Sequence, residues 1–236
     1  DNAAVCHCPK CTAPIKALDG SMLTPEKDKE LFWSAWFYTY LNKVDDIVQK
    51  FHPGYTTSTF AYFFAKQRPP IAVNKTIIPW LCTYWRGNYH LPVFAPKLKL
   101  WADIYEGWAD HTKELMLYDY YGLAIGGQPY AEIYQEELKY QRDIGFRASS
   151  TEGFMGGDEL GTADDRWCMA RLAWNPDQSV EELHRRFNRR TYREAAPHMD
   201  RIRGAVRKAY FAAETDSLEK AIATNETVKA VVAAET

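Results

Sequence analysis

Between residues 55 and 154 short β-rich runs alternate with longer amphipathic ones, and this rhythm limits the possible folds more than any other feature. Strands are predicted over Tyr55–Phe64, Thr76–Trp85, Glu114–Tyr121 and Gly145–Phe154, each short and rich in aromatic or Thr/Ser residues. Helices are predicted over Ala95–Thr112 and Pro129–Ile144. Strand, helix, strand with short loops is the pattern of parallel βαβ units, so the class is α/β. A closed eight-stranded barrel takes ~250 residues and twice as many strands. Four strands make either its second half or a small open sheet.

Helical segments flank this core. Leu31, Phe32, Ala35, Trp36, Val44, Ile47, Val48 and Phe51 recur at helical spacing, and Thr24 followed by Pro25 suits a helix start, predicting a helix over Pro25–Phe51. His52-Pro53-Gly54 ends it. From Asp164 to Tyr210 the pattern is purely helical. Asn175-Pro176-Asp177 breaks it, and Ser179 is placed to cap Val180-Glu181-Glu182. Two regions follow: residues 1–160 as the α/β part and 161–236 as a helical extension, with a further helix or a frayed tail beyond Ala213.

The net charge of −2 gives no global field for nucleic acid or an anionic membrane, so neither is expected as a partner. Arg185, Arg186, Arg189, Arg190, Arg193, Arg201, Arg203 and Arg207 are crowded together, but Glu181, Glu182, Glu194 and Asp200 are interleaved with them. That mixture reads as a solvated helix face, with a polyanion site as the alternative. No apolar run reaches the ~20 residues that span a bilayer. The opening Asp1-Asn2-Ala3, without Met or a signal peptide, is expected to belong to a fragment or excised domain.

In parallel α/β architectures functional groups gather at the carboxyl ends of strands. The third predicted strand ends at Asp119-Tyr120-Tyr121 and the fourth at Glu152-Gly153-Phe154. Two carboxylates at neighbouring strand ends suit glycoside hydrolysis, where environment drives their pKa values apart to make one an acid. The plainer alternative is that each caps a loop or pairs with Arg86 or Arg147. Trp85 ends the second strand and Arg86 and His90 come just after it, mixing an aromatic platform with donors, as a sugar-binding or simply polar loop would. Tyr62 and Tyr121 are further substrate-binding candidates; Tyr62 could equally fill a barrel. Aromatic residues, 14% of the chain, serve cores and sugar stacking alike.

Cys6-His7-Cys8-Pro9-Lys10-Cys11 resembles half of a zinc site, but no second Cys-x2-Cys or His-x3-His is present. No metal and no cofactor is therefore expected. Five cysteines cannot pair fully within the chain. Gly126-Gly127 and Gly156-Gly157 lack the continuation of a phosphate-binding loop.

Several separated segments together resemble one family. They are the opening Asp1 to Cys11, Asn42-Lys43-Val44, Tyr62 before Pro69-Pro70, Tyr118-Asp119-Tyr120, Glu152-Gly153, and Leu172-Ala173-Trp174-Asn175-Pro176-Asp177 before an Arg-rich helix. This ordered set is similar to the bacterial domain-of-unknown-function family 4838, which overlaps glycoside hydrolase family 163. The resemblance implies the C-terminal half of a TIM-like (β/α)8 barrel followed by a helical extension. It also implies endo-β-N-acetylglucosaminidase-like activity on N-glycans, in secreted, periplasmic or cell-surface proteins of glycan-degrading bacteria. The partner would then be an oligosaccharide or a glycoprotein glycan, cleaved with help from its own 2-acetamido group. Glu152 is expected as the acid and Asp119 as the orienting carboxylate. Asp1 competes for either role, with Asn2 beside it as a substrate-binding candidate. The alternatives are a non-catalytic carbohydrate-binding barrel and a zinc-stabilised interaction domain.

Overall fold

The computed structural model describes residues 5–84, 86–87, 89–121, 129–152, 159–213 and 225–235. The chain forms two compact units. One takes residues 1–83, 103–118 and 145–150, and the other takes 84–102, 119–144 and 151–236.

In the first unit a small antiparallel pair, β1 (Ile15–Lys16) and β2 (Met22–Leu23), precedes helix α1 (Lys29–Phe51). The helix starts four residues later than Pro25 and the Thr24 cap predict. Asp28 donates its N–H to Thr24 O at 2.9 Å, and its carboxylate accepts from Thr24 N at 3.4 Å. Those bonds close a turn over residues 24–28, and Asp28 becomes the N-cap. A parallel sheet follows in the order β3 (Thr57–Ala61), β4 (Ile77–Cys82), β5 (Leu115–Asp119) and β6 (Phe146–Thr151). Each strand neighbours the next in sequence, as the βαβ rhythm predicts.

The strands alternate. Ile77 and Leu81 on β4, and Leu115 and Leu117 on β5, are buried, whereas Ile78, Trp80, Met116 and Tyr118 remain partly exposed. The buried core of this unit holds Phe32, Trp33 and Tyr38 of α1 and Trp108 of α2 (Lys99–His111). Tyr38 and Trp108 meet at 5.2 Å between ring centroids, and the indole N–H of Trp108 donates to Lys66 O at 2.7 Å. Asp45, buried on α1, accepts from Thr76 Oγ1 at 2.6 Å and Asn74 Nδ2 at 2.9 Å, tying the helix to the start of β4.

The second unit is mainly helical: α3 (Ala131–Ile144), α4 (Glu159–Trp174), α5 (Val180–Tyr192), α6 (Ala196–Ala212) and α7 (Glu226–Glu235). Tyr121, Tyr130, Tyr134, Cys168, Leu172 and Leu183 form its core. Gly145 ends α3 with φ +106°, a conformation that a side chain would strain. Ser179 caps α5 as its position predicts, accepting from Glu182 N at 3.2 Å. Ser179→Ala is expected to remove about 1 kcal/mol of stability, read as a lower urea midpoint at unchanged slope. An unchanged midpoint would show that the cap contributes nothing. Among the described residues, no helix is long and apolar enough to cross a membrane.

Candidate functional site

The carboxyl end of β5 delivers Asp119, and the burial alternation of that strand puts it on the face of Leu115 and Leu117. Within the second unit its carboxylate sits in a buried polar network. Tyr89 Oη donates to Asp119 Oδ1 at 3.0 Å, Tyr120 N donates to the same oxygen at 2.6 Å, and Arg86 Nη1 approaches Oδ2 at 3.4 Å. Arg86 also reaches Glu137 of α3 with both terminal nitrogens, at 2.8 Å from Nη1 and in a second, shorter contact from Nη2. The guanidinium lies 4.8 Å over the ring of Tyr89 and donates to Leu91 O at 2.8 Å. Glu137 accepts additionally from Val93 N at 2.7 Å and from the Tyr121 hydroxyl.

Exposure decides what this network can do. Asp119 and Glu137 are 0% exposed and Arg86 3%. Burial pushes the Glu137 carboxyl above the ordinary carboxylate range, with Arg86 pulling the other way. Burial also raises the Tyr121 and Tyr89 hydroxyls, which stay protonated and act as donors. One guanidinium thus serves two carboxylates, and each carboxylate takes a tyrosine hydroxyl and a backbone N–H. Such an array holds a strand end, a loop and a helix in fixed register. It positions neighbours and does not itself present Asp119 to solvent.

The residues predicted from sequence fall into three groups. Arg86, Asp119 and Tyr121 come together in the network, and the expected alternative of Asp119 pairing with Arg86 is realised. Glu152 is half-buried one residue past β6, and its N–H donates to Asp119 O at 2.8 Å. His90 is buried. Tyr62 belongs to the first unit, where its ring lies 3.9 Å from that of Phe63. Asp1, Asn2 and Trp85 lie outside the described residues, as do Gly126-Gly127 and Gly156-Gly157. Strand-end reasoning does not find Glu137, although its signal is present: Ala131, Ile133, Tyr134, Glu137 and Gln141 trace the buried face of α3. An acidic residue on an apolar stripe marks a paired buried charge. Tyr84, 37% exposed, meets Tyr120 edge-on at 5.0 Å and offers an aromatic surface beside that strand end.

A second polar cluster lies among α3 to α6. His184 Nδ1 is 3.2 Å from Asp164 Oδ2 and 3.6 Å from Cys168 Sγ. Both partners share one ring nitrogen, so this is not a relay in which histidine links a thiol to a carboxylate. Cys168 is fully buried, and burial raises its thiol pKa, which makes it a poor nucleophile. Glu132, Asp165 and His184 bring three ligand atoms of the kind that hold cations within 4.8 Å of one another. Arginines already hold this ground: Arg203 contacts Asp164 at 2.5 Å, and Arg207 contacts Glu132 at 3.4 Å and Asp164 at 3.5 Å.

Burial, then the neighbouring Asp164 charge, pushes Asp165 up to about 7, against the pull of His184 and Arg207; Glu132 adds to the rise. A carboxyl raised on folding makes the native state bind a proton that the unfolded chain has released. Its contribution therefore falls as pH rises from about 4 towards 7. Asp165 Oδ1 also accepts from Ala131 N at 3.2 Å, a role the Asn oxygen can keep. Asp165→Asn is expected to gain on wild type by on the order of 2–4 kcal/mol at pH 8, and by little at pH 4. Urea unfolding of both proteins at the two pH values checks this, and a difference independent of pH would refute the raised pKa.

A cleft of about 280 Å³ in the first unit is lined by Asn74, Lys75, Asp110, His111 and Glu114. It opens at the amino ends of β4 and β5, the end of a parallel sheet that ordinarily serves stability. No characterised protein and no solved structure matches the chain. A family model described as Domain of unknown function (DUF4838) matches residues 1–203, and the chain belongs to that family.

Proposed function

We propose that this chain forms the C-terminal half of a TIM-like barrel and carries part of the site of a glycoside hydrolase acting on N-acetylglucosamine-containing glycans. The observation that carries the reading is the unbroken parallel order β3-β4-β5-β6, with Asp119 and Glu152 joined by a backbone hydrogen bond at two adjacent carboxyl ends. An open doubly wound sheet reverses its strand order at a switch point, whereas a barrel adds each strand beside the last. Parallel sheets are normally covered on both faces, and here Ile78, Trp80, Met116 and Tyr118 remain partly exposed on one of them.

In this reading Glu152 is the acid that protonates the leaving oxygen. Asp119 is a positioning residue, holding Tyr89, Tyr120 N and Arg86 while its own carbonyl fixes the Glu152 backbone. A substrate with a 2-acetamido group supplies its own carbonyl oxygen as the internal nucleophile, so a second exposed protein nucleophile is not required. Glycans, free or on a glycoprotein outside the cell, are the corresponding partners. The burial of Asp119 also suits a second reading, a barrel that binds such glycans without cleaving them.

Hydrolysis of a chitobiose-core glycan by the full-length protein tests the proposal. Turnover that Glu152→Gln abolishes supports the enzyme. Glycan binding that survives Glu152→Gln, with no turnover in wild type, supports the binding barrel. Neither turnover nor binding removes both.

A further inference from the structure

Cys6, Cys8 and Cys11 carry free thiols; the first two are exposed and the third partly so. Their three sulfurs lie within 4.8 Å of one another. Free cysteine is among the most buried residue types, and three thiols converging on one surface turn are an oxidation hazard unless something holds them. The backbone is shaped to bring them together. Cys8 O accepts from Cys11 N at 2.9 Å, from Thr12 N at 3.1 Å and from Thr12 Oγ1 at 3.1 Å. These bonds fold the chain so that the cysteines of the Cys-x2-Cys step approach each other. His7, whose ring meets Trp33 edge-on at 5.6 Å, anchors the segment to α1.

The donor set is uniform and soft, with no carboxylate among its three sulfurs. Oxygen-seeking Mg2+ and Ca2+ have nothing to bind there, whereas thiolates suit zinc. With Zn–S bonds of about 2.3 Å, sulfurs around a common ion lie roughly 4 Å apart, so the turn needs to contract by less than about 1 Å. We propose that Cys6, Cys8 and Cys11 bind one Zn2+ through three thiolates, leaving a fourth coordination position open to water or another donor. Binding converts three thiols and Zn2+ into a tris-thiolate zinc centre and releases three protons, with no change of oxidation state. The missing second Cys or His pair is then no obstacle, because three protein ligands and an open position are a complete set. The ion would clamp the turn that leads into β1.

Full-length protein, isolated under reducing conditions without chelator and supplied with Zn2+, is expected to retain about one zinc per chain after desalting. Cys8→Ser, and the variant with all three cysteines changed to Ser, should retain less than about a tenth of that. Co2+ in place of zinc should give thiolate-to-cobalt charge-transfer absorption in wild type, a readout that needs no variant to fold. Absence of both zinc and that absorption in reduced wild type overturns the proposal. So does unchanged zinc in the triple variant, or a Cys8–Cys11 disulfide that persists in place of metal.

Discussion

Glu137→Ala is expected to lower the unfolding free energy by about 3–5 kcal/mol, a large fraction of the stability that a domain ordinarily has. Truncation removes the carboxylate that both terminal nitrogens of Arg86 reach, and leaves the buried guanidinium facing the more distant Asp119 carboxylate at 3.4 Å. It also strips Val93 N and the Tyr121 hydroxyl of their acceptor. Each orphaned buried donor costs about 1–3 kcal/mol, and an unpaired buried charge costs more. Glu137→Gln keeps the volume but turns one acceptor into a donor facing Arg86, so an intermediate loss is expected. Because Arg86 also faces the buried Asp119, all three charges must go together: Arg86→Met, Glu137→Met and Asp119→Asn in one chain remove the guanidinium and both carboxylates that share it. That triple variant should be more stable than Glu137→Ala, since buried ion pairs are frequently no better than uncharged groups of similar size. Urea unfolding at pH 7 gives all three values. A loss under about 1 kcal/mol for Glu137→Ala would mean that water enters the network and that it is not a closed structural unit.

The same network explains what the sequence can and cannot reveal. The strand-helix alternation is local, so β3 to β6, α2 and α3 are legible to within a few residues, as is the Ser179 cap. The start of α1 is not, because Thr24 and Asp28 bond each other across a turn, a competition that cap preferences alone cannot rank. Asp119 is legible as a strand-end carboxylate, but its burial is not. That depends on Arg86 and Glu137, 33 and 18 positions away in the chain, meeting it in space. Glu137 shows how such a partner is overlooked: attention to strand ends passes over a helix whose apolar stripe contains one acid. The three thiols make the opposite point. Their spacing suggests half a zinc site lacking its complement, and only the convergence of their sulfurs gives the triad meaning by itself.

Glu152→Gln in the full-length protein is expected to reduce hydrolysis of a chitobiose-core glycan by about 10²–10⁴-fold, the usual worth of a positioned general acid. The amide preserves size and leaves the backbone bond from residue 152 to Asp119 O intact, so the loss would report chemistry and not folding. A leaving group that departs as a stable anion needs no proton. A nitrophenyl glycoside of N-acetylglucosamine should therefore lose far less activity in Glu152→Gln than the natural glycan does. Asp119→Asn should behave differently. The amide oxygen can still accept from Tyr89 and Tyr120 N, but the charge facing Arg86 is gone, so both substrates should slow by a similar and smaller factor. That contrast separates a proton donor from a positioning residue. Equal losses on both substrates in Glu152→Gln would remove the acid role from Glu152 and leave Asp1 as the remaining carboxylate to test.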